Sequence, residues 1–117
     1  MKKLEIQERP WGKYIVITDE SNYKLKKIEV NPGHRLSYQY HNKRSEVWTI
    51  VKGYGEVIID GQIEEVNYGD CIKIDVGAKH RIKNTSDSTL VFIEVQTGTY
   101  FGEDDIVRIE DDYNRVK

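Results

Sequence analysis

Turn-forming residues punctuate this chain every eight to twelve residues or so, leaving room for strands but little for helices of ordinary length. The signals fall at Pro10-Trp11-Gly12, Glu20-Ser21-Asn22, Asn31-Pro32-Gly33, Gly53, Asp60-Gly61, Tyr68-Gly69-Asp70, Gly77 and Ser86-Asp87-Ser88. Between them lie KYIVIT, YKLKKIEV, EVWTIVKG, GEVIID, CIKID and TLVFIEVQ, segments rich in the β-branched and aromatic side chains that suit a pleated surface. The pattern predicts an all-β sandwich or barrel, one domain over residues 1–117, with a two-residue hairpin at Asp60-Gly61. The acidic tail EDDIVRIEDDYNRVK is predicted to hold one helical turn or a final strand.

Eighteen basic and twenty acidic residues give a net charge of -2, so no global basic field exists to attract nucleic acid. The one cysteine, Cys71, has no partner in the chain for a disulfide, which fits a reducing compartment. MKKLEIQERPWG has the charge of a signal peptide without an apolar run behind it, and no stretch approaches a membrane span. A cytoplasmic protein is expected.

The chemistry concentrates in two glycine-anchored blocks. From Gly33 to Gly53 the first carries Gln39, His41 and Glu46; from Gly69 to Asn84 the second carries Asp75, Gly77, His80 and Asn84. Side chains two apart on a strand share a face, so Gln39 and His41 aim at one point, which Glu46 can join if the chain folds back. Such a trio is a divalent-metal half-site in need of a further ligand, and His34 and His80 are the other histidines. Each block reads as a hairpin; stacked face to face, the two would set His80 opposite Gln39 and His41. His34 falls outside this register and reads as a loop residue.

The same parity extends outward. Ser37 and Arg35 share the ligands' inward face if the strand stays regular, with Ser37 suited to a sugar hydroxyl and Arg35 to a phosphate. Lys24 and Lys26 lie on one face with Ile28 and Val30, either lining a polar cavity or forming a solvated edge. Glu94 and Gln96 share a face of TLVFIEVQ. Trp48 and Ile50 follow Glu46's parity on a strand with two apolar faces, and Trp48 reads as core. Trp11 reads as an anchor for the N-terminal segment or a dimer contact.

These blocks resemble the two cupin motifs, with Gln39 where most cupins have their first histidine and Asp75 where the second motif has proline. The segments RPWGKY, PGHRLSYQYHNKRSEVW, HRIKN and IEVQTGTYFGEDDIVRIEDDY further resemble the type II mannose-6-phosphate isomerase domain, over nearly the whole chain. That family's domain often follows a guanylyltransferase domain, whose activity this chain is not expected to inherit. The resemblance implies a cupin jelly roll (double-stranded β-helix) and a divalent metal held by Gln39, His41, Glu46 and His80. Zinc comes first, ahead of manganese, cobalt, nickel and iron.

The implied reaction interconverts mannose 6-phosphate and fructose 6-phosphate through a cis-enediol. Arg108, from the family signature, is the implied active-site arginine. Lys26 or Arg35 would share the anion, and Glu94 remains a supporting group. The base stays open among Glu94, Lys26 and a hydroxide on the ion. A regulatory, non-catalytic sugar-binding cupin is the alternative, and a metal-dependent dioxygenase a weaker one. A homodimer is expected, with neither nucleic acid nor membrane as partner.

Overall fold

In the computed structural model, which describes residues 5–113, the β-rich runs become strands and the punctuating residues become their turns. Eleven strands are present among the described residues: β1 (Glu5–Arg9), β2 (Gly12–Asp19), β3 (Tyr23–Val30), β4 (Tyr38–His41), β5 (Arg44–Lys52), β6 (Gly55–Ile59), β7 (Gln62–Val66), β8 (Cys71–Ile74), β9 (His80–Asn84), β10 (Leu90–Gly98) and β11 (Ile106–Glu110). The tail supplies both expected forms, a 3-10 turn over Glu103–Asp105 and then β11. No helix among the described residues is long and apolar enough to cross a membrane. The Asp60-Gly61 hairpin is present between β6 and β7, with φ of 47° and 83° at its two central residues. Positive φ at both is the backbone that matches the twist of paired strands, and glycine adopts it without strain.

Two antiparallel sheets form, ordered β1-β2-β3-β10-β5-β8 and β11-β4-β9-β6-β7. This arrangement corrects one expectation: neither glycine-anchored block is a hairpin. β4 and β5 lie in different sheets, and so do β8 and β9. Each block crosses from one sheet to the other, the first turning its corner at Asn42 and Lys43 between β4 and β5 and the second over residues 75–79 between β8 and β9. His80 consequently sits beside Gln39 in the same sheet, in direct register, while Glu46 arrives from the opposite sheet.

Alternation then sorts the interior into two ends. Along β10 the inward residues are Leu90, Phe92, Glu94 and Gln96, all buried. Their neighbours on β3 are Val30, Ile28, Lys26 and Lys24, and on β5 Phe92, Glu94 and Gln96 face Ile50, Trp48 and Glu46. One end of the barrel is therefore apolar and the other carries charge. Phe92, Ile50, Val30 and Leu90 are fully enclosed, and each such side chain contributes about 1.5–3 kcal/mol by leaving water. Asn84 closes the apolar end, its amide donating to the carbonyls of Val30 (2.8 Å) and Ser88 (2.7 Å).

The outward face of β5 departs from expectation. Val47 and Val51 are 42% and 39% exposed, so that strand is buried on one face only. β3 is an interior strand of its sheet, which settles Lys24 and Lys26 as inward-facing rather than part of a solvated edge. Trp11 is buried in the core cluster, and its carbonyl accepts a hydrogen bond from the Asn31 amide, which holds the N-terminal hairpin over the barrel.

Candidate functional site at the polar end of the barrel

The charged end opens into a cavity whose wall includes Lys26, Ser37, Gln39, His41, Arg44, Glu46, Trp48, His80, Glu94, Glu103 and Arg108. His41, Glu46 and His80 come together there, all buried, with one ligand atom from each within 4.8 Å of the others. Gln39 lines the same wall and lies across from His80 on one side and Arg108 on the other.

Both imidazoles are held neutral. Burial, then the neighbouring Arg44 and His80, lowers the His41 pKa from 6.5 to about 3, and burial lowers that of His80. His80 Nδ1 lies 2.8 Å from the Ala78 carbonyl, which can only accept, so Nδ1 carries the proton and Nε2 keeps its lone pair. That nitrogen lies 3.9 Å from Glu46 Oε1. Two neutral imidazoles and a carboxylate are the protonation states a divalent ion needs, so the donor set fits such an ion.

Arg44, which is not among the residues expected at the site, sits inside this cluster. It is 4% exposed. Its Nε donates to Glu46 Oε2 at 2.8 Å and its Nη2 to His41 Nε2 at 2.9 Å. A divalent ion bound through His41 Nε2 has to contend with this guanidinium for the same lone pair. The signal was available in the sequence: Arg44 shares Glu46's parity on β5 and so points inward with it.

Trp48 was expected to be core, and it is, packed on Phe92 at 4.7 Å and edge-on to His80 at 5.7 Å. It also does something polar. Its indole N–H points between two carboxylates, donating to Glu46 Oε1 (3.0 Å) and Glu94 Oε1 (3.1 Å). Burial, followed by the charge of Glu46, raises the Glu94 pKa from 4.5 to about 7. Gln96 donates to its other oxygen at 2.7 Å. Trp48→Phe keeps most of the packing and removes the shared donor. An expected loss of about 1–3 kcal/mol in urea-unfolding free energy checks this role.

The tail segment shapes the site from outside. Asp105 accepts from the backbone amides of Asn42 (3.2 Å) and Lys43 (2.9 Å), gripping the corner between His41 and Arg44. β11 then runs along β4, which places Arg108 beside Gln39. The sequence pointed to Arg108 but not to Asp105, since a carboxylate holding a backbone corner leaves no periodic trace. Glu103 reaches in to Lys26 Nζ at 3.2 Å.

Ser37 is buried against the cavity, and its hydroxyl has no hydrogen-bond partner. Arg35 is placed differently from its expectation. The chain before β4 is irregular: Leu36 and Ser37 are both buried in succession, so parity fails there. Arg35 instead forms an isolated bridge with Lys83 and a two-pronged ion pair with Asp112 at 2.7 and 2.8 Å, away from the cavity wall. His34 is a loop residue, its ring stacked on Tyr113.

Residues 2–111 match the family described as Mannose-6-phosphate isomerase C-terminal. The chain belongs to this family. The mannose-1-phosphate guanylyltransferase ManC of Salmonella typhimurium is 44% identical over 108 residues, 92% of this chain and 22% of that protein. The xanthan biosynthesis protein XanB of Xanthomonas campestris is 43% identical over a stretch covering 92% of this chain and 23% of its own length. The chain thus spans under a quarter of these relatives of the isomerase C-terminal family. Solved structures agree on the cupin fold. Staphylococcus aureus CapF, a capsular polysaccharide assembling protein, superposes with a TM-score of 0.78 at 21% identity, over 94% of this chain and 35% of its own. A cupin-2 domain from Rhodospirillum rubrum gives 0.72 at 17%, over 87% of this chain and 78% of that one.

Proposed function

We propose that this chain, acting as one cupin domain, is a metal-dependent isomerase interconverting mannose 6-phosphate and fructose 6-phosphate. The observation that carries the reading is the buried His41–Glu46–His80 cluster at the base of a cavity that Lys26 and Arg108 also line. Family membership and relatives named for mannose-1-phosphate and xanthan chemistry support the sugar-phosphate class.

The reaction moves the carbon-bound proton from C2 of the aldose to C1 and a hydroxyl proton from O2 to O1 through a cis-enediol, with no net gain or loss of atoms. It requires a base, stabilisation of charge on the carbonyl oxygen, and an anchor for the phosphate. His41, Glu46 and His80, with Gln39, would hold a divalent ion, zinc first, which when bound supplies a Lewis acid for the sugar carbonyl. Glu94, in the cavity wall beside Glu46, is the group assigned to carry the proton. Arg108 and Lys26 supply positive charge for the anionic parts of the substrate, and Ser37 a hydroxyl for a sugar oxygen. The protein is expected to work in the cytoplasm as a homodimer, paired through exposed sheet edges.

A non-catalytic sugar-phosphate-binding protein is the second reading, favoured by the seat of Arg44 on His41 Nε2. One assay separates the two: purified protein, mannose 6-phosphate and each candidate metal, with fructose 6-phosphate followed over time. Turnover that falls at least a hundredfold (roughly 3 kcal/mol of transition-state stabilisation) in His41→Ala and Arg108→Ala supports the isomerase. Binding without turnover under every metal supports the second reading.

A further inference from the structure

The polar end of the barrel has two buried cations and, at its mouth, one carboxylate that joins them. Lys26 is 3% exposed, with its ammonium over the Tyr14 ring at 4.1 Å. Arg44 is 4% exposed, and its Nη1 is buried with no hydrogen-bond acceptor. Both face the same oxygen, Glu103 Oε2, at 3.2 Å from Lys26 Nζ and 3.6 Å from Arg44 Nη1. Glu103 itself is 37% exposed and stands on the 3-10 turn outside the barrel. The cations belong to the interior, and the anion is inserted from the surface.

The backbone around Glu103 is fixed. Asp104 is tied to the Tyr100 hydroxyl and Asp105 to the Asn42–Lys43 corner. The carboxylate can therefore leave by rotating its own side chain, with the turn unmoved. The space left inside is about 50 Å³, enough for a few waters and too little for a sugar phosphate. An anion that approaches Lys26 and Arg44 from the mouth meets Glu103, whose departure uncovers their charge.

We propose that Lys26 and Arg44 form a binding site for a phosphate monoester or inorganic phosphate, and that Glu103 is a built-in competitor displaced by that anion. This deepens the sugar-phosphate reading and rests on it for the identity of the natural ligand. Ser37 adds a buried, unpartnered hydroxyl on the same wall. Arg44 then has a double duty, holding Glu46 on one edge of the guanidinium and receiving the anion on the other.

The test uses inorganic phosphate and the full chain, dialysed free of metal and chelator so that a bound ion cannot take up the phosphate. Calorimetry compares wild type, Glu103→Gln, Glu103→Ala and the double variant Glu103→Gln/Lys26→Met. If the tethered carboxylate fills the site about nine-tenths of the time, removing its charge tightens phosphate binding roughly tenfold. Both single variants are expected to show this, and the double variant to lose it. Binding no tighter than wild type in both Glu103 variants overturns the proposal, as does tightening that survives Lys26→Met. Tighter phosphate binding in a protein that never turns over mannose 6-phosphate would uphold the anion site and defeat only the isomerase reading.

Discussion

Glu46→Gln is expected to destabilise the protein by about 3–5 kcal/mol, the range found when one partner of a buried ion pair is removed. Glu46 is 2% exposed and answers four neighbours: Arg44 Nε at 2.8 Å, the Trp48 indole at 3.0 Å, His41 Nδ1 at 3.6 Å and His80 Nε2 at 3.9 Å. Glutamine has nearly the same shape but no charge, so Arg44 keeps its full positive charge inside the barrel, with Glu103 at 3.6 Å as the carboxylate still paired with it. Desolvation of that cation then goes largely uncompensated. Thermal unfolding should fall by roughly 10–20 °C. Removing both charges together is a different matter, because a well-packed apolar pair can replace a buried ion pair at little loss. Arg44→Met/Glu46→Met is therefore expected to be more stable than Glu46→Gln alone. A single-variant loss below about 1 kcal/mol, as for a surface pair, would show that water reaches Arg44.

Acidification of metal-free protein should reduce its stability steadily from about pH 6.5 downward. The unfolded chain protonates His41 and His80 near 6.5, whereas the fold holds His41 down to about 3 and lowers His80 as well. Between those values the unfolded state binds more protons, so stability rises with pH and is lost as pH falls. Glu94 acts with the opposite sign. Its folded pKa of about 7 lies above its ordinary 4.5, so in that interval the folded state holds the extra proton, and stability falls as pH rises. From pH 6.5 to 4.5 His41 and Glu94 largely offset each other, so the net loss on acidification is the part contributed by His80, whose pKa burial also lowers. Below 4.5 the Glu94 offset ends and the slope steepens. Urea midpoints measured from pH 7.5 to 4 check this, and Glu94→Gln should steepen the upper part of the curve. A profile flat over that interval would mean that the imidazoles are not buried as neutral bases.

Alternation made the polar end of the barrel legible in the sequence. Lys24, Lys26, Glu94, Gln96 and Glu46 face inward because side chains two apart must share a face. The strands themselves followed from turn spacing, and Asp60-Gly61 from the backbone it requires. What parity could not supply was the path of chain between strands. It failed at Arg35 because residues just before β4 are irregular, and it turned two sheet-crossing corners into hairpins because strand pairing is a long-range choice. Arg44 was missed for a further reason. A charged residue beside a corner is usually solvated, and what makes burying this one tolerable is Glu46, two residues along its own strand, together with His41 from the opposite sheet. Asp105 owes its role to the same long-range fold, being far in sequence from the corner it grips.

The most direct test is metal stoichiometry. The chain is incubated with zinc, freed of loose metal by gel filtration and assayed by mass spectrometry, alongside His41→Ala and His80→Ala. The arrangement of His41, Glu46 and His80 predicts about one tightly held ion per wild-type chain, and retention lost in both variants without loss of the fold. A folded wild-type protein that retains no divalent ion, or variants that retain it undiminished, would contradict the account.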